Sequence, residues 1–100
     1  MQLTENRVED VITIKIEGRV DTTTSPDLQA AILNAFQKVG KLVLDFEMCD
    51  YISSAGLRSL LIGQKTANSK KGSMTLVHVQ QMVMSVLEMS GFTSMLTIEK

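Results

Sequence analysis

One cysteine and one histidine are all that this chain of 100 residues offers a soft metal, and Cys49 and His78 cannot between them build a structural zinc site. A lone cysteine also cannot close an internal disulfide, so the reducing cytosol is the simplest home. An excess of either charge is missing too. Ten basic against eleven acidic side chains leave a formal net charge of −1, which provides neither a basic face for nucleic acid nor an acidic tail. No apolar run approaches the roughly 20 residues that span a bilayer. The opening segment MQLTENRVED is polar and charged, unlike a secretory signal or a membrane anchor. Repeats, low-complexity tracts and linkers are absent, and the one proline, Pro26, falls at a helix start. Catalytic signatures are wanting as well: there is no G-x-S-x-G elbow, no P-loop, and no motif tying His78 to a serine. Asp45 and Glu47 read as a solvated strand end rather than an acid and a base. These absences disfavour an enzyme and leave a binding protein without cofactor or metal.

What is present is a core. A hydrophobic content of 44% over 100 residues fits one domain, residues 1–100, expected to fold as a monomer. Leu3 to Val8 predicts a strand, Glu9-Asp10 a tight turn, and Val11 to Glu17 a half-buried strand in which Ile12, Ile14 and Ile16 alternate with polar residues. Gly18 to Asp21 is expected to leave that strand. Thr24 then caps a helix, with Asp27 at the reciprocal capping-box position. Along it Leu28, Ala31, Ile32, Ala35, Phe36 and Val39 make one apolar stripe, and Gly40 closes it. Lys41 to Phe46 reads as an interior strand covered on both faces.

After a turn at Cys49-Asp50-Tyr51, a second helix begins near Ser54, with Leu57, Leu60, Leu61 and Ala67 inward and Gly72 as its stop. Ser73 to Val79 predicts a strand, with Met74 and Val79 buried alongside either Leu76 or Val77. Gln80 to Ser90 follows as a short helix burying Met82, Val83, Val86 and Leu87, closed by Gly91 and Phe92. Met95 to Glu99 is a last strand. The order is β-β-α-β-α-β-α-β: an α/β fold with a small, mostly parallel mixed sheet and right-handed crossovers. The loops Asp21–Thr24, Cys49–Gly56 and His78–Gln81 are then expected at one sheet edge. Cys49 reads as a buried small hydrophobe. Met48, Met84 and Met89 default to core packing, though methionines also suit a partner surface.

Met48 to Leu61, MCDYISSAGLRSLL, is the stretch that the fold presents. Ser53 reads as the N-cap, with Ile52 and Leu57 as a hydrophobic staple; Ser54 then stands in the first turn, its hydroxyl exposed at the positive end of the helix dipole. Gly56 carries no side chain to keep a partner's backbone away. On local chemistry alone the serines are a cap, and Asp21 reads equally well as a residue that only binds loop NH groups.

The run Asp50-Tyr51-Ile52-Ser53-Ser54-Ala55-Gly56-Leu57 resembles the signature of STAS domains, specifically bacterial anti-sigma factor antagonists. Gly18-Arg19-Val20-Asp21 with Thr24 and Leu28, Lys41 to Asp45, and Ser90-Gly91-Phe92 are similar to further family segments, so the resemblance covers most of the chain. It implies a STAS fold and a phosphorylated serine at Ser54. The partner surface it implies comprises Asp21, Thr22, Thr24, Ser53, Ala55, Gly56 and Arg58. By the same resemblance, the unphosphorylated form binds an anti-sigma factor that is also a serine kinase and frees the sigma factor. Phosphorylation then ends the complex, and a metal-dependent serine phosphatase resets it. Two features depart from the pattern: Ser53 stands where well-known antagonists carry aspartate, which leaves the choice between Ser53 and Ser54 open, and the sequence ends at Lys100 where relatives commonly continue into one more helix. STAS domains also serve as constitutive accessory or scaffold subunits of transport and signalling complexes, the alternative reading.

Overall fold

The computed structural model describes residues 1–99; Lys100 lies outside them. Strand β1 (Gln2–Val8) turns through Glu9-Asp10 into β2 (Val11–Val20), with Glu9 in the left-handed region at φ 55°. Their register pairs Val8 with Val11 and Gln2 with Glu17, the predicted hairpin. Helix α1 (Ser25–Phe36), β3 (Lys41–Asp45), β4 (Cys49–Ile52), α2 (Ser54–Ser69), β5 (Ser73–Val77), α3 (Gln81–Met89), a 3-10 turn (Phe92–Ser94) and β6 (Thr97–Ile98) complete the described chain. The sheet runs β1-β2-β3-β5-β6, parallel except for the first pair. Each parallel step moves in the same direction, so right-handed crossovers place the connecting helices on one face.

The core lies between that face and the helices. Ile12, Leu42 and Met74 stand side by side in register, as do Ile14, Leu44 and Leu76, and all six are at most 1% exposed. Phe36, Leu28 and Ile32 of α1, Leu60 of α2, and Val83 and Leu87 of α3 close over them. On the opposite face Thr13, Val43 and Thr75 are only half-buried, so β3 is not covered on both sides as its apolar run implied.

Short segments carry the other differences. Cys49-Asp50-Tyr51, expected as a turn, lies in the strand Cys49–Ile52, and β2 does not leave the sheet at Gly18 but continues to Val20 to receive it. Thr24 makes no side-chain cap, because its hydroxyl is used inside its own loop. Helix α1 stops at Phe36 rather than at Gly40, which lies in the loop before β3, although Val39 is buried as expected. The closing of α3 holds, with Gly91 left-handed at φ 76° and its NH on Glu88. Met82, however, is 68% exposed, and Met48 and Met89 likewise face outward; Met84 is half-buried. The final strand is only Thr97–Ile98, since the 3-10 turn uses the residues before it.

The end of α2 assigns its glycine a different task. Gly72 NH donates to Ala67 O at 2.8 Å and Lys71 NH to Asn68 O at 3.2 Å, the two bonds of a Schellman cap. The left-handed residue is Lys71, at φ 57°. Gly72 is needed because any Cβ there would overlap the carbonyl of Gly40, whose oxygen accepts from Ser73 NH at 2.9 Å. The two positions are therefore predicted to respond in opposite senses. Lys71→Gly should raise stability by up to about 1 kcal/mol by relieving the left-handed side chain, and Gly72→Ala should lower it; denaturant midpoints check both, and a neutral Gly72→Ala would contradict the close approach.

Candidate functional site

The site begins with how β2 ends. Up to Lys15 it pairs with β3; beyond Gly18, at φ 100° and with a register shift, it pairs with β4 instead. Gly18 NH reaches Met48 O at 2.9 Å across this change. Val20 then stands opposite Ile52, and Ser53 NH donates to Val20 O at 2.8 Å. The start of α2 is thereby tied directly to the loop that Asp21 opens.

That loop is self-contained. One Asp21 oxygen, Oδ1, accepts from the NH groups of Thr23 and Thr24, each at 3.0 Å, and lies 3.1 Å from the Thr24 hydroxyl. The Thr24 oxygen accepts from Asp21 NH at 2.9 Å, and its single proton has Arg19 O at 2.9 Å as the other acceptor. The Thr24 amide chiefly, with the neighbouring hydroxyl and amide and the Arg19 charge, holds the Asp21 carboxyl below the usual carboxylate range against the opposing effect of desolvation. Binding loop NH groups is thus what Oδ1 does. Thr22 stays exposed beside it.

At the helix start Ser53 is the cap. Its backbone is extended (φ −95°, ψ 175°), its Oγ accepts from Gly56 NH at 3.3 Å, and its carbonyl accepts from Leu57 NH at 2.9 Å. Ile52 and Leu57, the two ends of the expected staple, are both buried. Ser54, the first helical residue, is exposed, and among the described residues no hydrogen bond engages its hydroxyl. Ala55 is half-buried and Arg58 exposed, one turn further on. Ser59 is buried and donates from Oγ towards Ser25 O at 3.2 Å, joining α2 to α1.

Gly56 requires a correction. Expected as an open landing for a partner's backbone, it is buried and faces inward. A Cβ there would lie 2.6 Å from Ile52 Cγ1 and 2.7 Å from Val20 Cγ1, so the glycine exists to let α2 sit down on the β2–β4 junction. Two residues that the pattern did not single out stand beside the site: the Arg19 guanidinium lies 4.2 Å over the ring of Tyr51, its register partner. Reading 49–51 as a turn concealed that pairing.

The third loop attaches elsewhere along the same edge. His78, left-handed at φ 55°, contacts Asp45 with Nδ1 to Oδ1 at 3.0 Å, and Gln80 reaches the carbonyl of Glu47. Its hydrogen bond to Asp45, followed by that carboxylate's charge, pushes the imidazole above its ordinary value. For Asp45, burial opposes ionisation, but the Glu47 amide, His78 and Lys15 outweigh it and the carboxyl lies low. Burial pushes the Cys49 thiol up, so it is packed and unreactive. Among the described residues no cluster of three or more potential ligands could hold a metal, and no helix is long and apolar enough to cross a membrane.

Residues 3–100 match the STAS domain family. A candidate anti-sigma factor antagonist of Bordetella bronchiseptica, BtrV, is 31% identical over 99 residues, spanning 98% of this chain and 85% of that protein. The crystal structure of a candidate anti-sigma factor antagonist from Thermotoga maritima superimposes with a TM-score of 0.89 at 17% identity, covering 98% of this chain and 86% of that one. The Bacillus cell fate determinant SpoIIAA in its phosphorylated form gives 0.76 at 19% identity, over 99% and 92% of the two chains. The chain belongs to the STAS domain family, among its anti-sigma factor antagonists. These are regulatory proteins, not enzymes.

Two predictions follow from the geometry. Gly56→Val should lose about 1–3 kcal/mol of stability through overpacking, visible as a lowered denaturant midpoint; an unchanged midpoint would contradict the close approach. The stabilising effect of a raised His78 pKa is complete below the unfolded imidazole value and is lost as pH rises through the folded one. For Asp45, whose folded pKa is low, the effect is present above the unfolded carboxyl value and is lost as pH falls through the folded one. Proton NMR should place the His78 midpoint above about 6.5, and Asp45→Asn should bring it down.

Proposed function

We propose that this chain is a phosphorylation-controlled partner switch acting in the cytoplasm. Unphosphorylated, it binds an anti-sigma factor that is also a serine kinase, and the sigma factor goes free for transcription. The kinase then phosphorylates Ser54 and the complex separates; a metal-dependent serine phosphatase restores the starting form. The observation that carries this reading is the division of labour between the two serines. Ser53 is committed to the cap, whereas Ser54 projects an unengaged hydroxyl from the first helical position. A phosphate there adds about −1.5 to −2 charges to the contact surface, while the helix N-terminus accommodates it without unfolding. The contact surface is drawn from Asp21, Thr22, Thr24, Ser53, Ala55 and Arg58, with Gly56 beneath it as support.

The two hydroxyls are predicted to separate cleanly. Ser54→Ala should change stability by less than about 0.5 kcal/mol and keep partner binding, yet abolish phosphate transfer. Ser54→Asp should keep the fold and weaken binding. Ser53→Ala should lose about 0.5–2 kcal/mol as a missing cap and still accept phosphate. Incubation of each variant with the kinase and ATP, mass spectrometric mapping and separate melting curves check this. Phosphate on Ser53 would reverse the assignment, and a genuine partner that binds without ever labelling the chain would favour constitutive docking.

A further inference from the structure

Arg58 is the one charged residue lining a groove of about 460 Å³ between α1 and α2, whose other walls include Pro26, Ala30, Leu33, Ala55 and Ile62. No acidic side chain lines that groove, and among the described residues Arg58 has no ion-pair partner. It is exposed, and it stands four residues after Ser54 on one continuous helix. Residues at this spacing share a helix face. Helical side chains also lean towards the N-terminus, so the patch that Arg58 sweeps lies over the turn that begins at Ser54.

We propose that Arg58 is the built-in receptor of a phosphate on Ser54: its guanidinium, unpaired in the unmodified chain, forms a charge-assisted pair with the phosphate oxygens once the serine is modified. This rests on the reading of Ser54 as the modified residue and adds the group that holds the modification. A guanidinium suits the task, because its planar donors match phosphate oxygens and it stays charged at every relevant pH. The pair has a second effect. Drawing Arg58 towards residue 54 takes the one charged side chain away from the α1–α2 groove, so modification of a single serine alters the surface well beyond it. The other nearby cation is differently placed, since Arg19 is stacked on Tyr51. The chain's carboxylates are the same in every variant compared.

The test needs no kinase. Phosphoserine is installed at position 54 of the full chain by suppression of a stop codon, and the second ionisation of the phosphate is followed by phosphorus NMR at low salt in wild type, Arg58→Gln and Arg58→Lys. The helix N-terminus acts on the phosphate in all three, so differences report Arg58. The midpoint in wild type should lie roughly 0.15–0.4 of a unit below that in Arg58→Gln, with Arg58→Lys between them. The difference should vanish in molar salt. The Arg58 Nε proton resonance should move with the same midpoint in wild type. Equal midpoints in wild type and Arg58→Gln, or an Arg58 resonance that ignores the phosphate, overturn the proposal. A lowered midpoint in a chain that no kinase modifies would uphold the receptor and refute the switch, so the two readings fail separately.

Discussion

The candidate site depends on one short piece of sheet: the parallel pairing of Val20 with Ile52, continued by the hydrogen bond from Ser53 NH to Val20 O. It spends only a few residues, but it places the Asp21 loop and the start of α2 side by side. What packs beneath it is small or apolar for that reason. Ile52 and Leu57 are buried beneath the helix start, Gly56 leaves room for Ile52 and Val20, and Ser59 joins α2 to α1 through Ser25. Because β3 and β4 lie in succession along the same side of β2, the chain needs only the residues between Asp45 and Cys49 to pass from one to the other.

With that junction in place, chemistry divides between neighbouring groups. Asp21 and Thr24 satisfy one another's backbone, and Ser53 satisfies the helix. Ser54 is left with nothing structural to do. A group can be modified reversibly without loss of the fold only if the fold does not use it, and the cap at Ser53 is what releases Ser54 from use. The positive end of α2 would favour a negative charge added there. A serine two positions earlier or later would take the buried place of Ile52 or Gly56 and would be closed to a kinase.

Much of this was legible in the residues. The alternation of Ile12, Ile14 and Ile16 and the stripe from Leu28 to Phe36 report their own geometry, because period and burial are the same fact seen twice. The cap at Ser53 was legible for the same local reason. Cys49–Ile52 was not: four residues are too few for a period, and Asp50 beside Tyr51 looks like a turn until β2 is known to run on to Val20. Gly56 and Gly72 were misread in kind. A glycine's need for space is set in part by residues distant in sequence, Val20 together with Ile52 for one and Gly40 for the other. The same holds for Arg19 on Tyr51, a pairing that exists only through the missed strand.

We propose that Ser54 acts as a switch on a surface that does not refold. Calorimetric titration of the chain, with and without phosphate on Ser54, into its anti-sigma factor tests that most directly, with amide spectra of both forms taken alongside. Binding should be lost or strongly weakened on phosphorylation, while amide shifts stay confined to the Asp21 loop and the first turns of α2. Equal affinity of the two forms, or a spectrum changed throughout the sheet, would contradict it.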